Sequence, residues 1–121
     1  MNTRFFALGL VGGLTCPLAL AQDDGQTAFN NSCRTCHTMK EGDNRQGPNL
    51  AGIVGRKAGS LPDYNYSSSM KQSGITWDEA NLDQFIANPD QVVRGNSMKP
   101  YGGITDAAQR KTIIEFLKSD D

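Results

Sequence analysis

The sequence has a single histidine, His37, and only three cysteines, Cys16, Cys33 and Cys36. Structural zinc takes about four nitrogen or sulfur ligands. With Cys16 expected to be removed (below), too few remain for a zinc site. Charge of one sign is also missing: 12 basic residues face 13 acidic ones, for a formal charge of −1. Without a strong basic excess, nucleic acid is not an expected partner. Large apolar residues are modest in number and aromatics make up 7%. A domain this small struggles to bury enough apolar surface alone. There is no internal repeat and no linker. Past the N-terminus, no apolar run approaches the ~20 residues of a membrane span.

The N-terminus reads as a secretory leader. Arg4 supplies a positive start, Phe5 to Leu14 an apolar run, and Pro17 a break. Ala19-Leu20-Ala21 gives a small–x–small cleavage pattern, so residues 1–21 are expected to be removed and the mature chain to begin at Gln22. An uncleaved anchor is the competing reading, but the run is too short to span. Gly13-Leu14-Thr15 is a poor lipobox, which assigns Cys16 to the discarded segment. The mature 100 residues suit one domain, 22–121, with 11 basic and 13 acidic residues and a charge of −2.

What is there is Cys33-Arg34-Thr35-Cys36-His37, a C-x-x-C-H run. It is the attachment signature of a c-type haem. Two thiols three apart can lie on one side of a helical turn and form thioethers to one porphyrin. The adjoining imidazole can then bind the iron. A thioredoxin-like pair would need a strand before it, and none is suggested. A disulfide across two residues would be strained. Covalent attachment of this kind also agrees with export, and the periplasm is the expected location.

Three helices are expected. The first runs from about Asp24 to Cys33, capped by Asp23 or Asp24. The second spans Trp77–Asn88, with Thr76 and Glu79 as a capping box, Leu82, Phe85 and Ile86 on one face, and Pro89 as its stop. The third starts near Asp106 with Thr105 as cap. Ile113, Phe116 and Leu117 face inward, and Lys118 lies in the last turn. A helical turn is expected near Asn49–Val54, and loop with turns over Ser60–Gly74. So much loop makes sense if it wraps a cofactor.

The second axial ligand cannot be histidine, because His37 is alone. Methionine is the next choice. Met39 is tethered beside His37, which leaves Met70 and Met98. Met98 lies in a Gly- and Pro-rich loop that can aim one side chain, and is favoured; Met70 is placed at the pocket edge. A ligating histidine usually donates its other ring N–H to an acceptor, and Gly47-Pro48 can present a carbonyl there. Arg56, Tyr66 and Trp77 are candidates for the haem propionates. The competing readings are a solvated charge for Arg56 and core packing for the two aromatics.

These motifs together resemble the small class I cytochromes c. Gly25 through Phe29 to C-x-x-C-H-T is similar to the family's first helix and haem site. Gly47-Pro48-Asn49-Leu50, Gly55-Arg56-Lys57-Ala58-Gly59, Tyr64-Asn65-Tyr66, Gly74-Ile75-Thr76-Trp77 and Asn88-Pro89 follow in the family's order. Gly95-x-x-Met98 with Gly102-Gly103-Ile104 resembles its methionine loop. The resemblance implies an all-α fold of three main helices and loops around one haem c. It implies Cys33 and Cys36 as the attachment points, His37 and Met98 on the iron, and Gly25 and Phe29 against Phe116. Departures are visible too. Phe85 replaces a tyrosine whose hydroxyl reaches the methionine sulfur, Met70 replaces a polar residue, and Lys99-Pro100 lengthens the loop before Tyr101. Lys40, Lys71 and Lys99 form only a thin basic ring.

The expected function is periplasmic electron transfer without catalysis. The haem would shuttle single electrons from a dehydrogenase or cytochrome bc complex to an oxidase or reductase, as a monomer without stable membrane insertion. A haem subunit permanently bound to a dehydrogenase or oxidase is the alternative. A ligand-binding sensor or peroxidase-like enzyme would need an open sixth site.

Overall fold

The computed structural model describes residues 18–119, with side chains from Asp24 onward. Most of the expected leader, Cys16 included, lies outside the described residues. The fold is all-α: α1 (Leu18–Ser32), α2 (Ser68–Lys71), α3 (Glu79–Ala87), α4 (Pro89–Val92) and α5 (Ala107–Ser119). Among the described residues there is no β-strand, only one antiparallel bridge between Lys57 and Thr76. No described helix is long and apolar enough to cross a membrane.

The helix α1 starts earlier than the sequence suggested. Asp23 and Asp24 lie inside it rather than at its start, because Leu18-Ala19-Leu20-Ala21 are good helix formers and extend it backwards. Its lower half packs on α5. Gly25 makes this possible: a Cβ there would lie 3.0 Å from the Cβ of Phe116 and 3.2 Å from the Thr112 carbonyl oxygen. One turn on, the Phe29 and Phe116 rings meet at 5.3 Å. The expected contact of Gly25 and Phe29 with Phe116 is present.

The second expected helix is displaced by two residues at its start. Asp78, not Thr76, is the cap. Its side chain accepts from the Asn81 N–H and Asn81 answers through the Asp78 N–H, both at 2.8 Å. Thr76 is held instead in the bridge to Lys57, where Trp77 N–H donates to the Arg56 carbonyl at 2.9 Å. Leu82, Phe85 and Ile86 are buried as expected. The chain leaves α3 at Asn88, and Pro89 opens α4, where its missing N–H is no loss.

Asp106, not Thr105, caps α5: its carboxylate accepts from the Ala108 N–H at 3.0 Å. The Thr105 carbonyl takes an Arg110 guanidinium hydrogen at 3.0 Å. Arg110 also pairs with Asp83 at 2.7 Å, and Lys118 with Glu79 at 2.9 Å, so α5 is tied to α3 twice. The serine run read as loop contains α2, capped by Ser67, whose hydroxyl accepts from the Met70 N–H at 3.1 Å. Over Asn49–Val54 the chain makes two tight turns and no helix. The core of Phe29, Trp77, Leu82, Phe85, Ile113 and their neighbours surrounds one cavity.

Candidate functional site

The C-x-x-C-H run continues the line of α1 in a tight turn. The Cys33 N–H donates to the Phe29 carbonyl at 2.7 Å, and the His37 N–H to the Cys33 carbonyl at 3.0 Å. Both thiols and the imidazole thereby line a cavity of about 350 Å³ whose wall is mostly apolar. Cys33 and Cys36 are free thiols, both half-buried. Burial, helped by the charge of Cys36, pushes the Cys33 thiol up to about 11. The Cys36 thiol donates to Gln46 Oε1 at 3.3 Å.

His37 is buried, and Nδ1 lies 2.8 Å from the Pro48 carbonyl oxygen. A carbonyl can only accept, so Nδ1 carries the hydrogen and Nε2 keeps its lone pair. Burial holds the imidazole below its ordinary pKa, with the Pro48 bond opposing it. A neutral ring with a bare Nε2 is the form that binds a metal. Gly47 lies flat against this ring: a Cβ there would come 2.7 Å from Nδ1 and 2.9 Å from Nε2. The strap is held by Gly47 N–H to the Cys36 carbonyl and Leu50 N–H to the Thr38 carbonyl, each at 2.8 Å, and by the Tyr64 hydroxyl to the Gln46 carbonyl at 2.6 Å.

Met98 and Met70 both line the cavity. Met98 is half-buried, and its N–H is held by the side chain of Asn96. Phe85 packs on Trp77 with ring centres 5.0 Å apart. The Tyr101 hydroxyl donates to the Ile86 carbonyl. Burial, with a contribution from Cys33, pushes this phenol up to about 12.

Arg56, Tyr66 and Trp77 are brought to the same cavity. Arg56 donates to the Asn49 carbonyl at 2.8 Å and to the Ala51 carbonyl. Burial lowers its pKa, and nearby Tyr66 opposes that. The Tyr66 hydroxyl accepts from the Leu61 N–H at 3.3 Å. Trp77 is 6% exposed, and its indole N–H makes no hydrogen bond to protein among the described residues. Sequence reasoning missed two buried amides, Asn49 and Asn96. Asn49 links Asn44 to the Arg56 loop. Nothing in the spacing marks either; only their place in loops beside the motif residues could have pointed to them.

A free thiol pair, a neutral imidazole and a methionine loop thus share one apolar cavity. The profile of the Cytochrome c family matches residues 22–120. The chain belongs to the cytochrome c family. It is 43% identical over 97 residues to cytochrome c2 iso-1 of Magnetospirillum fulvum, covering 79% of this chain and 97% of that one. It is 42% identical over 98 residues to cytochrome c-550 of Bradyrhizobium diazoefficiens, covering 80% and 71%. Among solved structures, cytochrome cH from Methylobacterium extorquens matches with a TM-score of 0.74 and 39% identity, over 81% of this chain and 97% of that one. As a cytochrome c, the protein carries one haem c, bound covalently through Cys33 and Cys36. The site fits that group. Both thiols are unpaired at the cavity wall. Gly47 leaves no side chain over His37, and Trp77 is buried with no protein acceptor for its N–H among the described residues. Among the described residues no three His, Cys, Asp or Glu gather into a metal cage. The protein is an electron-transfer haem protein.

Proposed function

We propose that this cytochrome is a periplasmic one-electron carrier whose iron is bound by His37 and Met98. Haem, when bound, supplies the Fe(II)/Fe(III) couple. His37 offers Nε2 because Nδ1 is held by Pro48, and this single observation carries the reading. Met98, on the irregular loop lining the same cavity, offers a neutral sulfur. With both positions filled by protein, substrate has no place on the iron, so the protein transfers electrons and converts nothing. The apolar wall excludes water from around the porphyrin, and with a methionine ligand keeps the potential positive. Trp77, Arg56 and Tyr66 lie where propionates can be received; among the described residues neither the indole N–H nor the Tyr66 O–H donates to a protein acceptor.

The proposed mature chain is 22–121, released by cleavage after Ala21. It works as a soluble monomer between a donor dehydrogenase or cytochrome bc complex and an acceptor oxidase or reductase. Docking is brief and only modestly steered, since the net charge is small. Nucleic acid has no part in it. The test is substitution. In the oxidised protein, Met98→Ala abolishes the weak sulfur-to-iron band at the red end of the spectrum, and Met70→Ala leaves it. The reverse result makes Met70 the ligand and overturns the assignment.

A further inference from the structure

The loop that carries Met98 has little regular structure, yet one buried polar side chain holds it. Asn96 is 5% exposed. Its Oδ1 accepts from the Met98 N–H at 2.9 Å. Its Nδ2 donates to the Val93 carbonyl at 2.8 Å and to Asp90 Oδ1 at 3.0 Å. Asp90 belongs to α4 and also receives the Lys99 ammonium, at 2.7 and 2.9 Å to its two oxygens. Residues on both sides of Met98 are therefore tied to one short helix.

Burying a polar side chain is unfavourable unless its groups are paired. Asn96 satisfies both its ends, and does so with Met98's own backbone at one of them. The bond from the Met98 N–H to the side chain two residues back closes an Asx-type turn. It fixes the backbone from Asn96 to Met98 and so the direction in which the Met98 side chain leaves the chain. Just before Asn96, Gly95 has φ +87° and lies beside α2, where a Cβ would come 2.5 Å from the Ser69 hydroxyl. The turn is thus tied to α4 and lies beside α2.

We propose that Asn96 is a positioning residue for the methionine ligand: its amide, braced by Asp90 and Val93, holds the Met98 sulfur on the iron. The proposal rests on the His37/Met98 reading. A thioether is a neutral ligand with no charge to hold it in place. How often it leaves the metal then depends on how tightly the chain presents it. Loss of the Asn96 bonds frees Met98 to swing away and opens the iron to small added ligands.

The test compares oxidised wild-type holoprotein with Asn96→Ala, using the sulfur-to-iron band and the rate of imidazole binding. Asn96→Ala is expected to weaken the band and to speed imidazole binding about tenfold, the effect of losing a buried hydrogen bond worth about 1.4 kcal/mol. Ile114→Val, a buried change away from the cavity, is expected to lower the thermal midpoint while leaving band and rate unchanged. That control separates positioning from general destabilisation. If Asn96→Ala does not mature, Asp90→Ala removes the outer brace of Asn96 together with the Lys99 ion pair, leaves the Asn96–Met98 bond in place, and is expected to speed binding about threefold. Wild-type band and rate in the variant that matures overturn the proposal. Met98→Ala keeps the two ideas apart. If it retains the band, the ligand reading fails. If it loses the band while Asn96→Ala keeps it at full strength, only the positioning role fails.

Discussion

At the scale of single residues, the site depends on what is absent as much as on what is present. Gly47 is required for space alone, since its φ is not in the left-handed region and a Cβ would run into the His37 ring. Gly47→Ala is expected to push the imidazole off its Pro48 partner and cost about 1–3 kcal/mol, as overpacking does. A denaturant midpoint, read with the low-spin fraction, checks it. Tyr101 shows the opposite case, a polar group kept in place by one acceptor. Its phenol, near 10 in an unfolded chain, is pushed up to about 12 by burial. The folded state therefore holds its proton longer than the unfolded state. That stability is fully present below pH ~10 and is lost as pH rises toward ~12. Tyr101→Phe is expected to flatten this alkaline decline and to cost about 1 kcal/mol at neutral pH through the lost bond to Ile86. Urea titrations at several pH values test both.

At the scale of elements, α5 is the keystone, gripping α1 through Gly25 and Phe116 and α3 through ion pairs. The two ties to α3 are not equal. The Arg110 side chain is 13% exposed and also holds the Ile104 and Thr105 carbonyls. Arg110→Ala is expected to destabilise by about 2–4 kcal/mol, because Asp83 and two carbonyls lose their partner. Lys118→Ala, at the exposed pair with Glu79, is expected to change the urea midpoint little. The same scale shows what was legible. The C-x-x-C-H turn and the Pro48 acceptor were readable because covalent spacing and a missing N–H act locally. The apolar faces of α3 and α5 were readable from period. The caps were not. Thr76 and Thr105 are good capping types, but a bridge to Lys57 claims one and Arg110 the carbonyl of the other, and Asp78, two residues on, and Asp106, one residue on, cap instead. The four residues of α2 are too few to show a period. Asn96 stayed hidden because its partners, Asp90, Val93 and Met98, are close in sequence but meet one side chain only through the irregular turn after α4, which has no period to read.

At the scale of the whole molecule, the cavity lies where a small domain would otherwise need its core. Ile53, Leu82, Phe85, Ile113 and Leu117 belong both to the buried core and to the cavity wall. Haem and protein thus share one interior, and the long loops are the walls of that interior. The weak net charge leaves docking to shape and to small local fields. Under the proposed His37/Met98 ligation both faces of the iron are claimed by the chain, and that is what would make the molecule a carrier rather than a catalyst. The most direct test is the visible spectrum of the purified protein, oxidised and then reduced with dithionite, with carbon monoxide added at neutral pH. The account predicts a sharp low-spin reduced α-band, a weak sulfur-to-iron band when oxidised, and slow or absent carbon monoxide binding. High-spin bands with rapid carbon monoxide binding would contradict it.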